Sequence, residues 1–475
     1  MTLTTPSTAS RIFDYPGEDR ERAPIRQVDG RLPPLPDGTW YLNGPGCFQR
    51  GGQWYRHWLD GDGLVQSIVF DRGSVSFASR FVRTRKYSDE MQAGHPRYRT
   101  FGTAFPGDRL NARGTGLESP ANVAIVNYAG RLLALGEQGE PWVIDGETLA
   151  TAGSWSMNGA LTPVTPFAAH AKVDPCSGEL FNFGVSFARH RPELNVFKFD
   201  RDGVQVFRSR TSLHCSSSIH DFALAPSYAV FYVSPYVLDM SAIAAGATVL
   251  DALAWNQHLG SRIIVVSRAT GAQVCSIPIE GRYSLHTINC AETDGLVVFD
   301  VVEMPAPIYD AYAAPGLFAR PIEAVPVRFR IDPAPGVITS REELASDCAP
   351  EFAVVEAGTC SRECTRFWAL GLSNARSDGS KFFDQLVRFR WDRPLDRDTC
   401  HAPRGTLFGG EPLVLTDPGQ DAGWVLCQVL DANLERGGFA VFDAFDLRRG
   451  PLATLWLDRP TPMAFHGTFV PKAAT

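Results

Sequence analysis

The sequence lacks the features that mark a nucleic-acid-binding or membrane-spanning protein. Its 475 residues include 45 basic and 52 acidic side chains, a formal net charge of −7, with no run of Lys or Arg. We therefore expect no nucleic-acid partner. No stretch of about eighteen apolar residues runs uninterrupted, and the first residues lack the basic and apolar regions of a secretory signal. These absences predict a cytoplasmic protein.

Cysteine pairs at metal-binding spacing are scarce as well. The chain has ten Cys, scattered singly. The one close pair, Cys360 and Cys364 in "CSREC", has neither a matching second pair nor a nearby His at the spacing of a zinc site. We interpret the cysteines as reduced, mostly buried thiols.

Long amphipathic helix patterns are also few, the best covering Asp239 to Leu259. Short strand-like runs recur instead, for example "LNVFKFDRDGVQVF" and "LHTINCAETDGLVVFDVV". Many have Asp or Asn next to Gly at the bend, which is typical of hairpins. No linker interrupts them. We predict an all-β protein with a single domain over residues 1–475, in which residues 1–30 form a partly irregular N-terminal extension.

Hairpins repeated over most of a long chain favour a β-propeller, because its blades close in a ring and leave few exposed edges. Such a ring also brings strand starts from distant positions to one axis. The repeats are too degenerate to count blades, so stacked sandwiches remain an alternative at this point.

Four of the ten His share a local pattern, since each lies beside an apolar or aromatic residue at the edge of a strand-like run. They are His170 in "FAAHAKVDP", His220 in "SSIHDFALAP", His286 in "YSLHTINCAE" and His466 in "MAFHGTFVP". The other six lie in Arg-rich or turn-like contexts typical of exposed positions: His57, His95, His190, His214, His258 and His401. A single His is more often structural than a ligand, so the four matter only as a set.

The four His are separated by 50, 66 and 180 residues, which fits no local metal-binding motif such as HExxH. Any metal site would therefore be assembled by the fold. Imidazoles alone suit Fe, Cu, Zn or Ni and do not choose among them.

Three Glu lie next to apolar runs, where an unpaired carboxylate would be costly. They are Glu137 in "LLALGEQGEPW", Glu351 in "CAPEFAVVE" and Glu411 in "LFGGEPLVL". Metal-bound imidazoles generally donate their second N–H to a carboxylate or a carbonyl, so these Glu are candidates for that role. The alternative is that they are acids at strand ends on the surface.

Several dispersed motifs, in order, resemble those of one known family. They are "GTWYLNGPG", "HWLDGDGLV", "AHAKVDPCSGELFNFG", "IHDFALAPSYAVF", "LHTINCAETDGLVVFDVV", "GEPLVLTDPGQDAGWVLCQVLD" and "FHGTFVP". The family is that of the carotenoid cleavage oxygenases, non-haem iron enzymes, and the likeness is greatest to its bacterial and cyanobacterial apocarotenoid branch. The motifs run nearly from end to end of the chain.

The resemblance implies a seven-bladed β-propeller capped by loops and short helices. It implies Fe(II) on the axis, held by residues matching His170, His220, His286 and His466, with partners matching Glu137, Glu351 and Glu411. The implied reaction uses O2 to cleave a conjugated C=C bond of an apolar substrate, here an apocarotenoid or carotenoid, into two carbonyl products. Cleavage of a stilbene or phenylpropene, and a non-catalytic propeller that binds apolar ligands, are the alternatives.

Departures from the family pattern concern the substrate cavity. Gly136 stands where a Trp is common before the first Glu, and Ser218 and Leu285 replace aromatics before the second and third His. Val123 lies in "NVA" where "NTN" is usual. We expect these four residues to border a cavity that is wider than usual or differently shaped.

The apolar segment Phe231 to Trp255 stands where the family has an apolar entrance patch. Two interpretations are open. Either this segment touches a bilayer interface without spanning it, which would make the protein peripheral at the membrane surface, or it is an ordinary buried helix.

Overall fold

Seven antiparallel sheets of four or five strands surround one axis in the computed structural model. The structure describes residues 9–109, 118–162, 164–187, 191–318, 320–356, 362–373, 382–416 and 421–472. The seven-bladed propeller is therefore confirmed, and the stacked-sandwich alternative is wrong. Cys360 lies outside the described residues, whereas Cys364 is a buried free thiol.

The strands in the first half of the chain are β1 (Arg20–Pro24), β2 (Gln27–Gly30), β3 (Gly38–Pro45), β4 (Gln49–Arg50), β5 (Gln53–Trp54), β6 (Gly63–Asp71), β7 (Ser74–Phe81), β8 (Ala124–Tyr128), β9 (Arg131–Leu135), β10 (Trp142–Ile144), β11 (Thr151–Ser154), β12 (Lys172–Val173), β13 (Leu180–Ser186), β14 (Glu193–Phe199), β15 (Gln205–Ser212), β16 (Ala223–Leu224) and β17 (Tyr228–Val233). Those in the second half are β18 (Tyr236–Leu238), β19 (Leu253–Trp255), β20 (Ser261–Ser267), β21 (Gln273–Ile279), β22 (Tyr283–Thr293), β23 (Leu296–Met304), β24 (Val325–Asp332), β25 (Val337–Glu343), β26 (Cys348–Val354), β27 (Arg366–Ser373), β28 (Gln385–Arg390), β29 (Asp398–His401), β30 (Thr406–Thr416), β31 (Gly423–Asp431), β32 (Arg436–Asp443), β33 (Ala453–Trp456) and β34 (Gly467–Pro471).

The blades follow the chain almost in order, each beginning at the axis. Blade 1 is β34-β3-β6-β7-β1, blade 2 is β8 to β11, blade 3 is β12 to β15, blade 4 is β16-β17-β20-β21, blade 5 is β22 to β25, blade 6 is β26 to β29, and blade 7 is β30 to β33 with β2 at its outer edge. Two further hairpins, β4-β5 and β18-β19, lie outside the blades.

Blade 1 closes the ring because it combines strands from both ends of the chain. Strand β34 pairs with β3 from Leu42↔Gly467 to Gly38↔Pro471. The segment predicted as an N-terminal extension also contributes, since β1 pairs with β7 and β2 pairs with β33. Blade 1 therefore contains both the first and the last strand of the chain, and blade 7 contains the second.

Hairpin turns and aromatic contacts show how local sequence forms the blades. Asp294 and Gly295, between β22 and β23, both have positive φ, as a two-residue hairpin of the primed type requires. Between blades 3 and 4, the buried rings of Phe183, Phe222 and Phe231 lie 5.1 to 5.5 Å apart. Aromatic burial of this kind stabilises the contact between sheets.

Short helices lie before the first strand and in the connections between strands, and the connections between β17 and β20 and between β23 and β24 cap one end of the ring. The α-helices are α1 (Arg85–Ala93), α2 (Met240–Ala244) and α3 (Val249–Ala252), and the 3-10 segments are Ala9–Phe13, Trp58–Asp60, Gln257–Leu259, Tyr309–Tyr312 and Leu447–Arg449. Among the described residues, none of these helices is long and apolar enough to cross a bilayer.

The helix predicted over Asp239 to Leu259 is two short helices followed by a strand. Helix α2 is capped by the side chain of Asp239, and the chain then turns at Gly246, whose φ is +105°. The Thr248 side chain caps a new helix, α3. The prediction of one helix was wrong because the glycine and the second N-cap interrupt the apolar periodicity.

Candidate metal centre

One predicted site residue from each blade lies near the axis. Six of the seven lie in or just before the innermost strand of their blade, whereas Glu137 follows β9, the second strand of blade 2. The His come from blades 1, 3, 4 and 5 (His466, His170, His220 and His286), and the Glu come from blades 2, 6 and 7 (Glu137, Glu351 and Glu411). Residues separated by up to 329 positions in the chain meet in this way. The site is therefore a property of the closed ring.

The four imidazoles form one buried cluster. One ring nitrogen from each lies within 4.8 Å of all the others, and each residue is at most 8% exposed. The Nε2 atom of His220 lies 3.0 Å from that of His170 and 3.2 Å from that of His286. Nitrogens bound at right angles to one ion, each at about 2.1 Å, would lie about 3.0 Å apart. The donor set and its spacing therefore fit a single metal ion.

Electrostatics favour neutral rings at two of the four positions. Burial lowers the pKa of His170 well below its usual value, and the neighbouring imidazoles of His466 and His220 lower it further. Burial likewise lowers the pKa of His466. At His286 burial acts in the same direction, but the Glu351 carboxylate outweighs it and raises the pKa. Neutral imidazole is the form that binds a metal ion.

Three of the rings turn their Nδ1 atoms towards the predicted carboxylates. The distances are 3.0 Å from His220 Nδ1 to Glu137 Oε1, 2.5 Å from His286 Nδ1 to Glu351 Oε2, and 3.2 Å from His466 Nδ1 to Glu411 Oε1. Glu411 also accepts a hydrogen bond from the backbone N–H of Gly467 at 3.1 Å. A carboxylate at Nδ1 places the ring proton there and leaves the Nε2 lone pair directed into the cluster.

Irregular strand pairing sets the direction of three of these side chains. The register of β22 shifts between Ser284 and Thr287, around His286, and again between Thr287 and Asn289. That of β26 shifts between Glu351 and Val354, and that of β30 shifts between Gly409 and Leu413, around Glu411. A β-bulge re-aims the side chain at the point where pairing is interrupted. The sequence signal for one bulge was Gly410, which has a φ of +66°.

Two cavities adjoin the site. The cap cavity, about 220 Å³, is lined by aromatic side chains, by residues of α2 and α3, and by Glu137. One of its aromatics, Tyr309, has its ring centre 6.3 Å from that of His220. The axial cavity, about 540 Å³, is bordered by three of the four His and by Lys172 and Asp221. The first approaches the cluster from the side of Glu137 and Tyr309, and the second borders three of the imidazoles directly.

The four residues predicted to border a substrate cavity differ in their positions relative to the cap cavity. Ser218 lines the cap cavity, whereas Gly136, Val123 and Leu285 are not among its lining residues in the described part of the chain. Val123 and Leu285 are buried in the hydrophobic core. The absence of a side chain at Gly136 does not enlarge the cap cavity, because the hydroxyl of Ser119 fills that space, 2.0 Å from where a Cβ of residue 136 would lie. Ser119 itself lines the cavity.

The sequence context of His57 predicted an exposed side chain, and this prediction was wrong. Its ring is fully buried, Nδ1 accepts a hydrogen bond from Leu59 N at 3.1 Å, and Nε2 lies 2.8 Å from Tyr309 O. His57 therefore holds the start of a 3-10 turn and plays no part in the cluster. His190 lies outside the described residues.

Comparison with known proteins agrees with the fold and the site. The model of the family described as RPE65, retinal pigment epithelial membrane protein, matches residues 14–471. The chain is 30% identical to apocarotenoid-15,15'-oxygenase of Synechocystis sp. over 468 residues, 94% of this chain and 92% of that protein. It is 26% identical to isoeugenol monooxygenase of Pseudomonas nitroreducens, with 94% of each chain covered.

A solved structure has the same fold as this chain. The cobalt-substituted apocarotenoid oxygenase of Synechocystis matches with a TM-score of 0.87 and 26% identity, over 98% of this chain and 99% of that chain. The family match over nearly the whole chain, the 30% identical relative and the shared fold show that this chain belongs to the RPE65 and carotenoid cleavage oxygenase family of enzymes.

Proposed function

We propose that this protein is an Fe(II)-dependent oxygenase that cleaves a conjugated C=C bond of an apocarotenoid, with O2 as co-substrate, to give two carbonyl products. The observation that carries the proposal is the buried cluster of four imidazoles beside an aromatic cavity. His170, His220, His286 and His466 would hold the iron. When bound, Fe(II) supplies the redox chemistry that activates O2 towards an electron-rich alkene.

The protein's own residues orient the site and keep it dry. Glu137, Glu351 and Glu411 hold the protons of three rings on Nδ1, so that the Nε2 lone pairs stay available. The rings of Tyr283, Tyr309 and Tyr312 are nearly fully buried and contact one another, and that of Tyr309 lies next to His220. Such packed aromatic rings would keep water away from the imidazoles.

The cap cavity is the proposed binding site for the substrate chain. Phe101, Phe167, Phe183 and Phe187 line it, so a planar polyene would contact apolar ring faces along its length. Ser119 and Ser218 are polar members of the same wall. An apolar polyene enters such a site because contact with water is lost over most of its surface.

The position of the segment from Phe231 to Trp255 favours a role in the cavity wall over contact with a membrane. Phe231 lies in a core strand and is fully buried. Met240, Ile243 and Val249 of the helical part line the cap cavity, while the exposed residues of that part are small or polar. We therefore assign the apolar character of this segment to the cavity wall.

A second candidate function is cleavage of a phenylpropene or stilbene. The observation that favours it is the similarity over 94% of both chains to an enzyme named for isoeugenol, a phenylpropene. A cavity of about 220 Å³ also suits a short aromatic substrate. The non-catalytic alternative is not proposed, because the family consists of enzymes.

Metal analysis combined with product analysis tests the proposal. Protein purified without chelators is expected to contain iron and, under O2, to convert apocarotenals into shortened polyene aldehydes detectable by mass spectrometry. His286→Ala should lose both iron and turnover, and His258→Ala, at an exposed position, should lose neither. Full iron occupancy in His286→Ala would contradict the ligand assignment. Aromatic aldehyde from a stilbene or isoeugenol, without polyene cleavage, would select the second candidate.

A further inference from the structure

Asp221 connects three of the segments that bear the clustered His. It follows one of these His directly and is buried, with 5% of its surface exposed. Its Oδ2 accepts hydrogen bonds from the backbone N–H of Thr287 at 2.9 Å and from the Thr287 hydroxyl at 2.8 Å. Lys172 Nζ lies 2.8 Å from its Oδ1. Lys172 and Thr287 each lie within two residues of another clustered His, so one carboxylate joins blades 3, 4 and 5.

His170 is the member of the cluster whose Nδ1 faces none of the three predicted Glu. Its Nε2 points into the cluster, 3.0 Å from that of His220. Its Nδ1 therefore points outwards, where Asp221 Oδ1 lies 3.5 Å away. The side chains of this pair are 6% and 3% exposed, so bulk water does not separate them.

We propose that Asp221 is the fourth carboxylate of the site, a positioning residue that orients the ring of His170, with Lys172 and Thr287 fixing the carboxylate in place. The inference rests on the four-His metal site of the proposed function. A carboxylate facing the outer nitrogen of a ligating His selects the tautomer and limits rotation of the ring. Each of the four imidazoles then has its own carboxylate, three from Glu and one from Asp.

Lys172 makes this fourth carboxylate different from the Glu. Its ammonium group lies 2.8 Å from Asp221 Oδ1 and balances the negative charge of this carboxylate locally. His170 is thus oriented without added negative charge at the centre, and the Nδ1 to Oδ1 distance of 3.5 Å is longer than for the three Glu.

Cobalt(II) binding tests this role without relying on activity. Metal-free wild type, Asp221→Asn and Asp174→Asn are titrated with Co(II), and the visible ligand-field bands give both the affinity and the geometry of the site. Asp221→Asn should bind Co(II) about 10- to 100-fold more weakly, with shifted bands, because the His170 ring is no longer held. Asp174 directly follows the strand of Lys172 and pairs with Arg268 instead of a clustered His, so Asp174→Asn should match the wild type.

Each outcome separates the inference from the proposed function. Wild-type affinity and unchanged bands in Asp221→Asn would overturn the role of Asp221 alone. No Co(II) binding by the wild type would overturn the four-His site and this inference with it. If Asp221→Asn does not fold, Lys172→Met provides the test, because the Lys172 side chain is 32% exposed and its removal is expected to leave the fold intact. Without the Lys172 ammonium group, the Asp221 carboxylate should move closer to His170 and shift the Co(II) ligand-field bands. Unchanged bands in Lys172→Met would overturn the proposal.

Discussion

At the scale of single residues, Ser119 occupies the space that Gly136 leaves open. A Cβ on Gly136 would lie 2.0 Å from Ser119 Oγ, and that oxygen accepts a hydrogen bond from Ala121 N at 3.2 Å. Gly136→Ala is therefore expected to break this hydrogen bond and to push the hydroxyl into the cap cavity. The expected loss of stability is about 1 kcal/mol, with a raised KM. Denaturant unfolding and steady-state kinetics measure the two effects.

A double-mutant cycle provides the control for this steric account. In Ser119→Ala the hydroxyl is absent, so adding Gly136→Ala should cost much less stability than it does in the wild type. The KM of the double variant should stay near that of Ser119→Ala. Equal costs of Gly136→Ala in both backgrounds would contradict the interpretation.

The sequence pattern around each His identified the four clustered His, but it did not predict the burial of His57. Four His at the edges of apolar runs could be selected from the sequence, and the structure brings these four together. His57 could not be judged in this way, because its burial depends on Tyr309, a partner 252 residues away. Asp221 was missed for a related reason, since its hydrogen-bond donors come from two other blades.

At the level of secondary-structure elements, three of the site residues lie next to interruptions in strand pairing. The sequence predicted that these segments are strands. It did not predict that pairing is interrupted at or next to His286, Glu351 and Glu411. Gly410 is a sequence signal for one of these breaks, because a positive φ favours glycine. The segments of the other two breaks, residues 284–289 and 351–354, contain no glycine.

Gly410→Ala should therefore disturb the metal site through its strand. Its φ of +66° is unfavourable for Ala, and the new Cβ would lie 3.0 Å from Gln428 Oε1, which accepts a hydrogen bond from Ala464 N at 2.6 Å. Both Glu411 and the segment leading to His466 are expected to shift. We expect a loss of about 1–3 kcal/mol in stability and a several-fold loss of metal affinity, measured by unfolding and by Co(II) titration.

Gly73→Ala is the matched control for backbone strain. Gly73 lies in the hairpin between β6 and β7 with a φ of +78°, and nothing lies within 4 Å of its potential Cβ. This variant should lose a similar amount of stability and keep its metal affinity. Equal metal affinity in the two variants would show that the bulge does not position Glu411.

At the scale of the whole molecule, closure of the ring completes both the fold and the site. The all-β class and the propeller could be predicted because hairpins recur without a linker, and the resemblance supplied the number of blades. The pairing of β1 with β7 and of β2 with β33 could not be predicted, since these strands are short and largely exposed. Their partners are set by the ring, as β34 meets β3 across most of the chain length.

Removal of the final ten residues, from His466 onwards, should abolish metal binding and destabilise the fold together. The truncation removes one candidate ligand and five residue pairs between β34 and β3, a loss on the order of 3–5 kcal/mol at about 1 kcal/mol per hydrogen bond. Full-length His466→Ala separates the two effects, because it should lose metal while β34 still closes blade 1. Removal of residues 473–475 alone should change neither. Metal analysis and thermal unfolding measure the outcomes, and a truncated chain that still bound metal would show that the site is complete before the ring closes.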